Sequence, residues 1–69
     1  MFWWFERGGS YLRCEILQTA KGFEFRIIKP DGAEEVEVFT DPAALEKRQS
    51  DVVAKVTEAG WNGPHSWMR

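Results

Sequence analysis

Cysteine and histidine each occur once in this 69-residue chain, so it can build neither an internal disulfide nor a zinc site of four Cys/His ligands. No uninterrupted apolar run approaches the ~18 residues of a membrane-spanning helix, which excludes an integral helical span. Proline is scarce, at three residues, and 43% hydrophobic with 29% charged residues is the balance of a folded chain rather than a disordered one. Cationic excess is missing as well. A formal net charge of −2 argues against an electrostatic grip on nucleic acid or anionic lipid. The opening Phe2 to Phe5 run has no basic stretch before it and no small-residue cleavage site after it, so no secretory leader is expected. With the single unpaired Cys14, this points to a reducing compartment, the cytoplasm.

Aromatic residues are abundant: four tryptophans, five phenylalanines and one tyrosine. A domain of this size buries only a modest fraction of its surface. Without disulfides it must rely on dense aromatic packing or on self-association.

Four segments alternate apolar and polar residues with the period of a strand: Phe2 to Glu6, Tyr11 to Gln18, Phe23 to Lys29 and Glu34 to Phe39. Turn signals separate them. Gly8-Gly9 suits a two-residue hairpin loop, Thr19 to Gly22 a four-residue one, and Pro30-Asp31-Gly32 a turn with glycine in the left-handed position. The period then changes. Asp41-Pro42 supplies an N-cap and a first helical residue, and Leu45, Val52, Val53, Val56 and Ala59 form an apolar stripe that ends at Gly60. The expected fold is α+β: a four-stranded antiparallel meander in the order 1-2-3-4 with one C-terminal helix on one face, all within residues 1–60. Residues 61–69 read as a short aromatic tail docked on this domain, too short for a further packed element. In that tail Trp61 is expected to close the end of the core and Gly63-Pro64 to turn the chain.

Hairpin geometry fixes a register, because a one-residue slip moves every side chain to the other face. The first loop pairs Trp3 with Cys14 and Phe5 with Leu12, and the second pairs Cys14 with Ile27 and Ile16 with Phe25. Treating Pro30 to Ala33 as the third loop pairs Lys29 with Glu34, Ile27 with Val36 and Phe25 with Val38. One face then holds Trp3, Phe5, Leu12, Cys14, Ile16, Phe23, Phe25, Ile27, Val36 and Val38, and the helix stripe should cover it. The opposite face keeps Phe2, Trp4, Tyr11, Arg13, Arg26 and Phe39 among glutamates. Arg26 is expected between Glu15 and Glu37, and Arg13 opposite Trp4 within cation–π reach.

A solvated sheet face does not need so many aromatics, so Phe2, Trp4, Tyr11, Arg13, Arg26 and Phe39 form the candidate interaction face. Three occupants are open: the tail folded back through Trp61 or Trp67, a second copy of the chain, or another ligand. The first strand would lie at the sheet edge, where its apolar run favours self-association.

Catalytic chemistry finds little support. Cys14 is assigned to the core and reads as structural, and His65 lies in the tail as an exposed or locally capping residue. The carboxylate pairs Glu34-Glu35, Glu35 with Glu37, and Glu46 with Asp51 read as solvated. No catalytic residue, metal or cofactor is assigned. The favoured function is a non-catalytic protein-interaction or regulatory module, its partner another protein or a second copy in a homodimer. The alternative is single-stranded nucleic-acid binding. Four antiparallel strands followed by a helix resemble, in element order alone, the Whirly-type single-strand-binding proteins. That resemblance implies bases stacked on Phe2, Trp4 and Tyr11 and phosphates met by Arg13 and Arg26. Five glutamates assigned to the same face, Glu6, Glu15, Glu24, Glu35 and Glu37, oppose it.

Overall fold

In the computed structural model, which describes residues 1–66, the chain runs β1 (Phe2–Arg7), β2 (Ser10–Thr19), β3 (Gly22–Ile28), β4 (Glu34–Phe39), α1 (Pro42–Glu58) and β5 (Asn62–Ser66). The architecture is α+β with an antiparallel sheet and a single helix. The sheet has five strands, in the order β4-β3-β2-β1-β5, where four were expected. The element order therefore departs from the Whirly-like pattern.

The first two hairpins keep their expected registers, although the second closes on two loop residues, Ala20 and Lys21, and not four. Gly8 and Gly9 take φ of 55° and 83°, the two positive angles of a type I′ turn, and Arg7 faces Ser10, Phe5 faces Leu12 and Trp3 faces Cys14. Between β2 and β3 the expected pairs Cys14 with Ile27 and Ile16 with Phe25 are present, and the strands continue until Thr19 faces Gly22.

The third hairpin is shifted by one residue. Ile28 faces Glu34, Ile27 faces Glu35, Phe25 faces Glu37 and Phe23 faces Phe39. The turn explains the slip. The Gly32 N–H donates to Lys29 O at 2.9 Å, the Lys29 N–H donates to Ala33 O at 2.8 Å, and Gly32 sits at φ 89°. This is a three-residue loop, a tight turn followed by a left-handed bulge residue, rather than a loop of four. The Ala33 N–H is held by the Asp31 carboxylate at 2.9 Å. Two expectations are corrected as a result. Val36 and Val38 leave the core face and are 49% and 60% exposed. Phe39, placed on the interaction face by the sequence, instead packs half-buried against the core under the helix. Glu37 turns to the helix side too, where Arg48 meets it with Nε 3.0 Å from both carboxylate oxygens and an Nη nitrogen 2.9 Å from one.

Residues 62–66 form a strand of the sheet rather than a tail docked on it, so β1 is not an edge. Trp3 faces Ser66, Trp4 faces His65 and Glu6 faces Asn62, with a shift of register between Trp4 and Glu6. The shift falls at Gly63-Pro64, whose peptide bond is cis. Gly63 is required there: at φ 145° an added Cβ would lie 2.8 Å from a Phe5 ring carbon and 2.9 Å from Trp4 O. Gly63-Pro64 thus bulges the strand instead of turning the chain away.

The helix ends are built as the sequence suggests. Asp41, extended at φ −104° and ψ 117°, accepts the Ala43 N–H at 3.1 Å, with Pro42 at the first helical position. At the other end Gly60 (φ 95°) donates to Thr57 O and Trp61 donates to Val56 O, each at 3.0 Å, a Schellman closure. Arg7 locks this corner to β1: its Nη1 donates to Ala59 O at 2.8 Å and its guanidinium lies 4.7 Å from the centre of the Trp61 ring. Trp61 accordingly closes the end of the core. Between helix and sheet, Phe5, Phe25 and Cys14 are fully enclosed, with Trp3, Leu12, Ile27, Leu45 and Val52 around them. Trp3 stacks on Phe25 at 6.0 Å.

The corrected register makes opposite demands on two neighbouring residues. Val38→Ala is expected to change stability by less than about 0.5 kcal/mol, as an exposed substitution does. Phe39→Ala is expected to cost roughly half the ~3–5 kcal/mol of a fully buried phenylalanine, read by urea denaturation. Gly63→Ala is expected to strip β5 from β1, seen as faster amide exchange along β1 while the β2–β3 amides stay protected.

Candidate functional site

The face turned away from the helix is assembled from all five strands by simple alternation. β1 contributes Phe2 and Trp4, β2 contributes Tyr11 and Arg13, and their register sets Trp4 directly opposite Arg13. The Phe2 and Trp4 rings lie 6.0 Å apart at a 31° tilt, and the His65 ring from β5 lies 5.7 Å from Trp4. Phe2, Trp4, Tyr11 and Arg13 line one shallow groove. Tyr11 is 53% exposed. Arg13 is exposed, with no carboxylate partner among the described residues.

Four of the six candidate residues are therefore brought together. Arg26 shares the face but is committed to its own neighbours. Its Nη2 bonds Glu24 at 3.0 Å, its Nη1 lies 3.9 Å from Glu15, and its Nε lies 3.5 Å from Glu34 without a formed hydrogen bond. Glu15 is the expected partner; Glu34 stands where Glu37 was expected, because of the slip in β4. Phe39 is absent from this face for the same reason. In its place the face gains Val36 and Val38. The signal that could have found them is the Pro30-Asp31-Gly32 triplet, read as a complete three-residue loop.

Trp61 does not fold over Phe2 and Trp4, because it is held on the core side beneath Arg7. Trp67, the other residue considered for that role, lies outside the described residues. His65 is exposed, and its position on β5 makes it a neighbour of the aromatic groove rather than an isolated tail residue.

Cys14 is enclosed in the core, and burial pushes its thiol up to about 11, away from the reactive thiolate. Lys29 and Glu35 pair on the helix side of the sheet; that hydrogen bond and charge contact hold the carboxyl below its ordinary range and the ammonium above its own. Both are exposed partners of a surface ion pair, where water screens the interaction. No cluster of His, Cys, Asp and Glu suited to a metal ion occurs among the described residues. None of the helices among them is long and apolar enough to cross a membrane.

Comparison with known proteins gives no matching family model, no similar curated protein and no similar solved structure.

The buried thiol has a measurable consequence. Its pKa in the fold, about 11, exceeds the ordinary 9.0, so above pH 9 the unfolded chain releases the proton first. The unfolded state then binds fewer protons than the folded one, and stability falls as pH rises from 9 towards 11. Denaturation midpoints measured across that window should drop more steeply in the natural chain than in Cys14→Ala. Parallel curves would show that the thiol is not enclosed.

Proposed function

We propose that the chain is a small, non-catalytic protein-interaction module that works in the cytoplasm and associates with a second copy of itself through the open sheet face. The observation that carries this reading is the groove of Phe2, Trp4, Tyr11 and Arg13, which lies on the side of the sheet opposite the helix. Tryptophan, tyrosine and arginine are the residue types that dominate protein contacts, since each couples a large apolar body to a directional polar group. A second copy is favoured because a two-fold contact must be complementary to itself. Arg13 is the cation of this patch, and Glu15, two residues along the same strand, and Glu6, diagonal to it on β1, are anions that could receive it from a partner copy.

The same chemistry disfavours nucleic acid. Of the two arginines suggested for phosphates, Arg26 is already engaged by Glu15, Glu24 and Glu34. Stacking on Trp4 and Tyr11 would proceed within a field of carboxylates, without the cationic surface that backbone binding requires. A lone enclosed thiol and the reducing conditions it suits support the cytoplasmic assignment.

Sedimentation equilibrium from low to high micromolar concentration is expected to show a monomer–dimer equilibrium. Trp4→Ala and Arg13→Glu should each weaken it by about tenfold or more while leaving the melting transition nearly in place. Trp3→Ala, by contrast, should lower stability by a core-sized ~3–5 kcal/mol. A strict monomer throughout would overturn the second-copy reading. Salt-sensitive binding of an oligodeoxythymidine would replace it with the nucleic-acid one.

A further inference from the structure

Two charged side chains of the open face have no counter-ion in their own chain. Arg13, exposed, meets no carboxylate, and Glu6, half-buried, meets no cation among the described residues. One Glu6 carboxylate oxygen accepts the Gly9 N–H at 3.1 Å, which steadies the side chain at the turn without neutralising its charge. The register sets these two groups at opposite corners of one quadrilateral. Trp4 faces Arg13 and Glu6 faces Tyr11, so Glu6 and Arg13 share one diagonal and Trp4 and Tyr11 the other. Diagonal neighbours across two strands lie about 7–8 Å apart, within reach of long side chains. No ion pair nevertheless closes across this diagonal.

This layout is complementary to itself about one direction. A second copy laid face to face by a two-fold axis along the Trp4–Tyr11 diagonal exchanges the two charged corners. Arg13 then lies over the second copy's Glu6, and Glu6 over its Arg13. Trp4 and Tyr11 sit on the axis and meet their own counterparts ring to ring. The same rotation carries Phe2 to the far side of Trp4, where His65 stands on β5, so a phenyl ring meets an imidazole. Other axes lose the match. Along the Glu6–Arg13 diagonal each charge would meet its own like, and along the strands Arg13 would meet Trp4 and Glu6 would meet Tyr11. We infer that two copies pack about the Trp4–Tyr11 diagonal, held by two reciprocal Arg13–Glu6 ion pairs. The inference rests on the reading of the open face as a self-association surface, and adds the orientation and the pair that selects it. Glu15 is not that partner, because Arg26 of its own chain already lies 3.9 Å from it.

Charge reversal read by sedimentation equilibrium tests the pairing. Arg13→Glu makes both corners anionic and Glu6→Arg makes both cationic, so each variant alone should dimerise about tenfold more weakly or worse. An equimolar mixture of the two should form a heterodimer within about threefold of the natural affinity, because both pairs are restored with their signs exchanged. The double variant carrying both substitutions should recover a homodimer for the same reason. Glu6→Gln keeps an acceptor for the Gly9 N–H and removes only the charge. It should weaken association while the melting transition stays in place, which separates the ion pair from the turn. Arg13→Glu mixed with Glu15→Arg should stay weak. The inference is overturned if the mixture of Arg13→Glu and Glu6→Arg associates no better than either variant alone, or if Glu15→Arg restores what Glu6→Arg does not. With the natural chain dimeric, either result removes this pairing and leaves the self-association reading standing. A natural chain that stays monomeric throughout overturns both.

Discussion

Gly32 sits at φ 89°, an angle that costs glycine little and other residues a good deal, and the surface of β4 follows from it. The bulge it makes ends the hairpin loop after three residues and aligns Phe39 with Phe23 and Glu37 with Phe25 on the helix side. Phe39 thereby extends the core, and Glu37 gains a fork of contacts from Arg48, which ties the helix to the sheet edge. One residue more in the loop would exchange these for Val36 and Val38. The core would gain two small apolar groups, lose an aromatic ring and lose the Arg48–Glu37 clamp. The odd loop thus couples the helix position to a valine-bearing outer surface, and neither can be had without the other.

The junction at Arg7 has a similar role at the opposite end. The guanidinium reaches Ala59 O at the helix C-terminus and covers the Trp61 ring, so β1, the helix end and the start of β5 meet on one side chain. Carbonyls near a helix C-terminus carry partial negative charge, which suits a cation in that position. From there the chain can return along β1 only if something yields where Phe5 blocks its path. Gly63, without a side chain, does so. The strand that results converts an exposed aromatic edge into an interior strand, which a chain this small without disulfides needs more than a larger one would.

Much of this was legible from residues alone. Gly8-Gly9, Asp41-Pro42 and Gly60 each act through local backbone chemistry, and the structure uses them where the sequence places them. Cys14 and Ile27 fall into register because the β2–β3 hairpin sets that pair by itself. The misreadings have one cause each. A four-residue loop in place of the three-residue Pro30-Asp31-Gly32 turn moves Val36, Val38, Glu37 and Phe39 to the opposite sides together. The strand at 62–66 has no apolar alternation to announce it, since Asn62, Gly63, Pro64, His65 and Ser66 are held by main-chain pairing to β1 rather than by a buried face. A pattern that reads burial cannot see such a strand. Of the candidate site, Phe2, Trp4, Tyr11 and Arg13 were legible because they belong to the hairpin whose register was certain from its two glycines.

The same register explains why the apolar groups of the open face form two separate groups and not one continuous patch. Val36 pairs with Arg26, Arg26 with Glu15 and Glu15 with Phe2, so a row of charge runs between the valines of β4 and the aromatics of β1. Arg26 cannot be stripped of water cheaply by a flat apolar partner, because its three carboxylates would have to be desolvated with it. A partner seated on Phe2, Trp4 and Tyr11 therefore has little to gain by extending across the sheet to Val36 and Val38. The arginine–glutamate cluster thus divides the open face into an aromatic half on β1 and β2 and a valine-bearing half on β4.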